Sequence, residues 1–287
     1  MPILSPEATQ SALRALEDSG KSAFREALED HWNAQRRELN NASILEAIES
    51  GELPQEVWDE WQDQTARIVE EHYNEQWERA ARFGAARLVD VIAQRVEVDV
   101  DFAPFRAAIA EWTETRAAAT IEGLNDVQRR AVRAVLRETL AGDGITVGDL
   151  DRALRPIIGL TPRQALAVRA RRRVLIDQGN TPRDVERAAL RYADRLTRVR
   201  SERIARTEVA AAYNQGHLSF VSAAEEEGLI DNARKEWYTA EDERVCPICF
   251  PLHEVRVGIG QVFPGVGVDA PPAHPSCRCT MLFDGDF

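Results

Sequence analysis

The chain has 287 residues, of which 44% are apolar and 29% charged, and a formal net charge of -12. That length allows one large domain or two to three small ones, and no apolar run reaches the ~18 residues that would mark a membrane-spanning helix. The charge is uneven, at -11 over residues 1–100, +6 over 101–200 and -7 over 201–287, and every cation of the middle third is arginine.

The opening stretch, Met1-Pro-Ile-Leu-Ser-Pro-Glu, has neither a basic nor an apolar signal region, so no signal peptide is expected. Helical spacing of Phe24, Leu28, Trp32 and Leu39, and then of Trp61, Ile68, Tyr73, Trp77, Leu88 and Val91, predicts an extended helical N-terminal region over residues 1–96. Gly51-Glu-Leu-Pro54 separates its first helical part from a second that could run for about 35 residues. The tryptophan stripe reads as core packing. Glu97-Val-Asp-Val-Asp101 alternates like a short connector and opens a helical bundle domain over 97–200, whose first helix holds Phe105, Ile109 and Trp112.

Gly142-Asp-Gly144 predicts a turn. Thr146-Val-Gly-Asp149, Thr161-Pro-Arg-Gln164 and Thr181-Pro-Arg-Asp184 each pair a hydroxyl cap with a polar partner three residues on, predicting three short helix starts. Arg169, Arg171, Arg172 and Arg173 form the densest basic cluster, a possible DNA contact because guanidinium forks bind phosphate. A solvated helix face explains the same cluster.

A third region, 201–287, begins with a helix from Ser201 to a stop at Gly228. Trp237-Tyr-Thr239 and Glu254–Ile259 then read as short strands, with a Gly/Pro-rich loop over Phe263–Pro272. All four cysteines fall in the last 42 residues, as Cys246-Pro-Ile-Cys249 and His274-Pro-Ser-Cys277-Arg-Cys279. Two chelating pairs joined by a loop are the usual way to fill a tetrahedral zinc site, and a proline inside each stiffens the turn. Five candidates compete for four positions. Cys246, Cys249, His274 and Cys277 share the matched Pro-x-Cys form, and a four-sulfur site with Cys279 in place of His274 is nearly as good. A disulfide or redox pair is the competing reading. The fold expected is mainly α, with extended N-terminal helices and a helical bundle, followed by a small α+β C-terminal module with a metal knuckle.

Arg203-Ile-Ala-Arg206-Thr-Glu208 with Asn214, Trp237-Tyr-Thr239 with Asp242-Glu-Arg-Val-Cys246, the Cys246–Cys249 chelate, and Pro271-Pro-Ala-His-Pro-Ser-Cys-Arg-Cys279 occur in that order. Together they resemble the phage Mu F-like minor head proteins, also called phage head morphogenesis proteins, across roughly residues 200–280. The resemblance implies a non-enzymatic minor capsid protein of a tailed phage or prophage, located inside the virion head near the portal and in host cytoplasm during assembly. It would act in assembly, DNA packaging or ejection. Its implied partners are the portal and inner capsid or scaffold proteins, with phage DNA as a further candidate, with no membrane and with oligomers only through the virion. Arg206, Thr207, Glu208 and Asn214 match the family's polar helix cluster, and Cys246, Cys249, His274, Cys277 and Cys279 its metal knuckle, with structural Zn2+ as cofactor. Arg206 and Glu208 are expected to anchor the cysteine-bearing loops. The alternatives are a zinc-dependent nuclease-type enzyme, for which His253-Glu254 could serve as a base pair, and a DNA-binding module. The zinc deaminase spacing is not present, nor a Gly-rich phosphate loop or nucleophile elbow.

Overall fold

The computed structural model describes residues 3–96, 103–142, 144–240 and 245–286. It is mainly helical, with one small sheet at the C-terminal end. The connector expected at 97–101 lies outside the described residues, as does Asp143 of the expected turn.

Helix α1 (Pro6–Glu38) starts behind Ser5, whose hydroxyl accepts from the Ala8 amide at 3.2 Å. Asn40 caps α2 (Asn41–Ser50) through the Ser43 amide, and Gly51, at φ 82, ends it. The break expected at Gly51–Pro54 is therefore present, with an additional one at Asn40. Helix α3 (Gln55–Ile68) passes through a π turn (Val69–Tyr73) into α4 (Asn74–Val96). Trp61, Thr65, Val69, Tyr73 and Trp77 are all buried. Steps of four run ahead of the 3.6-residue period, and the π turn absorbs the surplus residue, keeping these side chains on one face. Val69 takes the inward place assigned to Ile68, which is half-buried.

Helix α5 spans Ala103–Leu140. The caps predicted for the next three helices are present. Thr146 and Asp149 close a capping box on α6 (Val147–Leu154), Thr161 and Gln164 close one on α7 (Pro162–Asp177), and the Thr181 hydroxyl accepts from the Asp184 amide as α8 begins. Only α6 and α7 are short. Helix α8 runs from Pro182 to Glu226, 45 residues without a break, so the helices expected from Thr181 and from Ser201 are one. After Pro182 in the first turn, no proline or glycine lies before Ser201.

The chain forms two compact units, each built from segments distant in sequence: Met1–Phe24 with Tyr73–Arg116 and Arg203–Phe287, and Arg25–His72 with Ala117–Glu202. In the second unit, Arg200 lies 5.0 Å over the Trp32 ring and donates to the Gly159 carbonyl at 2.7 Å. His31, Thr65 and Asn125 form a buried polar chain, with Thr65 Oγ1 3.1 Å from His31 Nε2 and 2.9 Å from Asn125 Oδ1.

In the first unit, α4 and the C-terminal part of α8 cross at two glycines. A Cβ on Gly216 would fall 2.0 Å from the Ala81 carbonyl oxygen, and one on Gly84 would fall 2.5 Å from that of Tyr213. The backbones touch only because no side chains intervene, so the helix penalty of glycine is offset by packing. Gly216→Ala is expected to destabilise the protein by ~1–3 kcal/mol or more through overpacking. A chemical denaturation midpoint unchanged from wild type would contradict this close crossing.

The same unit carries an antiparallel sheet of strands β1 (Asp231–Tyr238), β2 (Arg256–Gly258) and β3 (Thr280–Asp286), in the order β2-β1-β3. Lys235 faces Val257 on one side and Phe283 on the other. Strand β2 falls within the anticipated Glu254–Ile259, β1 meets the anticipated Trp237–Thr239 only at Trp237 and Tyr238 and starts six residues earlier, and β3 was not anticipated. The inner face buries Ala233, Trp237, Met281 and Phe283 against Leu218, Phe220 and Val221 of α8 and Leu88 and Ile92 of α4. This packing holds the cysteine-bearing loops against the helices.

Candidate metal centre

Two tight turns build the site. In Cys246-Pro247-Ile248-Cys249 the Cys249 amide donates to the Cys246 carbonyl at 3.1 Å and approaches the Cys246 sulfur at 3.4 Å. In His274-Pro275-Ser276-Cys277 the Cys277 amide donates to the His274 carbonyl at 3.1 Å, with proline second and Ser276 at φ 63 third. That is the geometry of a type II turn, in which the third position demands positive φ. Serine rarely adopts that conformation, and here its amide is held by the Thr207 hydroxyl of α8 at 3.1 Å. Cys279 stands immediately before β3.

These turns bring all five candidate ligands together. His274 Nε2 lies 3.0 Å from the Cys246 sulfur and 3.1 Å from that of Cys249, and the Cys249 and Cys277 sulfurs are 3.7 Å apart. Cys246, Cys249 and His274 form one close trio and Cys249, Cys277 and Cys279 another, sharing Cys249. An edge of 3.7 Å is that of a tetrahedron with arms of about 2.3 Å, the usual zinc–sulfur length. His274 Nδ1 lies 3.0 Å from the Pro275 carbonyl. A carbonyl can only accept, so Nδ1 carries the proton and Nε2 presents its lone pair to the sulfurs. All four cysteines are free thiols in this structure.

The electrostatics fit a cation. Hydrogen bonds from Cys249 and Cys279 pull the Cys277 thiol down to about 3. Donating to Cys277 and Cys279 holds Cys249 protonated, well above the usual thiol range. Cys279 is drawn down by Cys249 but pushed further up by Cys277 and by burial, to about 12. Burial disfavours charge on His274, yet the Pro275 carbonyl and the Cys277 and Cys246 sulfurs raise its pKa overall. Crowding thus keeps Cys249 and Cys279 protonated beside the Cys277 thiolate, and a thiophilic divalent ion bound there would relieve the repulsion and release those protons. The donors suit such an ion, and the Cys/His cluster could hold a metal.

The polar helix cluster divides. Thr207 and Asn214 hold the knuckle: Asn214 Nδ2 reaches the Cys279 carbonyl at 3.4 Å, and its Oδ1 accepts from Thr280 Oγ1 at 2.9 Å. Arg206 and Glu208, expected to be the anchors, point elsewhere. Arg206 sits 3.7 Å from Glu17 of α1. Glu208 takes a two-pronged bond from Arg116 of α5, at 2.8 and 2.7 Å, and a third from the Trp77 indole at 3.1 Å. Side chains one and two positions apart on a helix face different neighbours, so the cluster could not act as one anchor. Sequence reasoning also missed Gln10, whose amide reaches the Arg278 carbonyl at 3.4 Å, and the Ile3 amide, which donates to Phe283 on β3 at 2.7 Å. Neither has a local signature. His253 is engaged structurally, its Nδ1 lying 3.1 Å from Thr239 Oγ1.

The arginine cluster lies in the other unit, on α7. Arg169 and Arg173 both pair with Glu138, and Arg172 pairs with Glu186 at 2.8 Å, leaving Arg171 exposed without an ion-pair partner among the described residues. Replacing all four by glutamine is expected to change the salt slope of any DNA binding by about one, the share of a single free arginine. A change near four would mean that phosphate displaces the glutamates.

A family model described as Phage Mu protein F like protein matches residues 126–282. The chain belongs to the phage Mu protein F like family. The Mu F-like span takes in the end of α5, α6, α7, α8, the loops and all five candidate ligands, while Trp77 and Arg116, which hold Glu208, precede it. Neither the curated proteins nor the solved structures include a match to this Mu F-like chain. No helix among its described residues is long and apolar enough to cross a membrane.

Proposed function

We propose that this chain is a non-enzymatic head-morphogenesis protein of a tailed phage or prophage, carried in the head near the portal, whose C-terminal module is stapled by one structural zinc ion. The observation that carries the reading is the convergence of five protein donors on one cluster, inside the span that matches the Mu F-like model. Catalytic zinc keeps a position open for water, with three protein ligands. Here protein donors outnumber the four positions. Cys246, Cys249, His274 and Cys277 are the proposed ligands, and Cys279 supports them as a neighbouring thiol. The ion would fix loops that have little core of their own against α8, through Thr207 and Asn214. The helices then remain free to present docking surfaces to the portal or inner shell.

The test is quantitative mass spectrometry of purified heads, with and without the gene. The protein should be present in a few copies per head, co-purify with the portal, and leave heads defective when deleted. Heads that lack the protein and assemble and package normally without it would overturn the proposal.

A further inference from the structure

The second unit carries two exposed features of opposite charge. The first is a groove between α2 and α3. Ala42, Pro54, Val57 and Trp61 give it an apolar lining, Glu38, Glu46, Glu56 and Glu60 rim it, and it encloses about 370 Å³. Glu60 pairs with Arg67 at 3.0 Å, but Glu46 and Glu56 have no ion-pair partner among the described residues. Leu45 beside it is 48% exposed.

The second feature is the outer face of α7. Ala165, Val168 and Leu175 turn inward, while Leu166 and Val174 are 39% and 44% exposed. Residues 163, 166, 170 and 174 recur at helical spacing on that outer face, so Arg163 and Ala170 flank the two exposed aliphatics and Arg171 borders them. Neither Arg163 nor Arg171 has an ion-pair partner among the described residues. An amphipathic helix is ordinarily polar on its outer face, and this one combines arginine with exposed aliphatic side chains.

We propose that the α2–α3 groove receives the outer face of α7 from a second copy of this chain. The pairing would place aliphatic side chains on the apolar lining and arginines against the unpaired glutamates, the helix-in-groove mode of recognition. Charge complementarity selects the occupant, because the chain itself presents the basic, apolar helix that the acidic groove lacks. Both surfaces are exposed within one copy, so the partner is another molecule. Groove and helix are different patches, which makes the contact head-to-tail: it can extend to chains or close to a ring. Electrostatic attraction between exposed groups makes it sensitive to salt.

Sedimentation velocity of the full chain, over a range of concentrations and salt, tests this. Wild type should gain mass with concentration, with affinity falling on the order of tenfold from low to high salt. Glu46→Arg with Glu56→Arg, and separately Arg163→Glu with Arg171→Glu, should each be monomeric. An equimolar mixture of the two variants should associate again, since intact helix then meets intact groove. Circular dichroism checks folding. If a reversal lowers helicity, Glu46→Gln with Glu56→Gln and Leu166→Ser take its place, with weaker association expected. A wild type that stays monomeric, association that survives either reversal, or a mixture that stays monomeric would each overturn the proposal.

Discussion

Cys249→Ser is expected to abolish binding of the proposed zinc ion and leave the sheet unprotected against amide exchange. Cys249 belongs to both trios of close donors, is 2% exposed, and is common to the His274-containing set and the four-sulfur alternative, so its loss breaks either. The described residues after 240 form strands β2 and β3 and a single 3-10 turn (Phe250–Leu252) besides loops, and metal binding supplies much of the folding free energy of such small modules, about 10–16 kcal/mol in zinc-finger peptides. Losing one ligand forfeits a large part of that, enough to exceed the local stability of β2 and the knuckle. Strands β1 and β3 should follow, because Thr207 and Asn214 hold the segment only when its turns are formed. The second unit should keep its exchange protection. Cys279→Ser should have a milder effect if Cys279 is a supporting thiol. Hydrogen exchange that leaves β1 and β3 as protected in Cys249→Ser as in wild type would show that packing alone holds the module.

Glu208→Ala should be the most damaging substitution away from the cysteines. Glu208 is 6% exposed and takes two bonds from Arg116 and one from Trp77. Removing it strands a guanidinium and an indole N–H that have given up water, and truncating one partner of a buried ion pair costs ~3–5 kcal/mol. Arg116 retains 30% side-chain exposure, which places the expected loss near the lower end of that range. Glu208→Gln keeps the shape and one acceptor and should cost less. Thermal denaturation checks the order. Equal midpoints for Glu208→Ala and wild type would mean that the network adds nothing to stability.

What was legible in the sequence was local. Thr146, Thr161 and Thr181 cap helices because a hydroxyl and a partner three residues on suffice, whatever surrounds them. The two Pro-x-Cys chelates fold as turns for the same reason. Tertiary causes were not legible. Gly216 looks like an ordinary helix-weakening glycine in the sequence, and only the carbonyl of Ala81 against it shows what it is for. The π turn moved Val69 into the place assigned to Ile68, since a period of 3.6 cannot anticipate an inserted residue. Strand β3 is uniformly buried over Thr280-Met-Leu-Phe283 and so does not alternate, and a short continuous apolar run could be told apart neither from helix nor from loop. Arg116 and Trp77 lie 92 and 131 residues from Glu208, and only the packing of the helices brings them to it.

Metal analysis with X-ray absorption spectroscopy on the purified protein tests the proposed bound ion most directly. About one zinc per chain is expected, with sulfur at about 2.3 Å and one imidazole nitrogen at about 2.0 Å. Protein that is folded and metal-free, or sulfurs joined in disulfides, would contradict it.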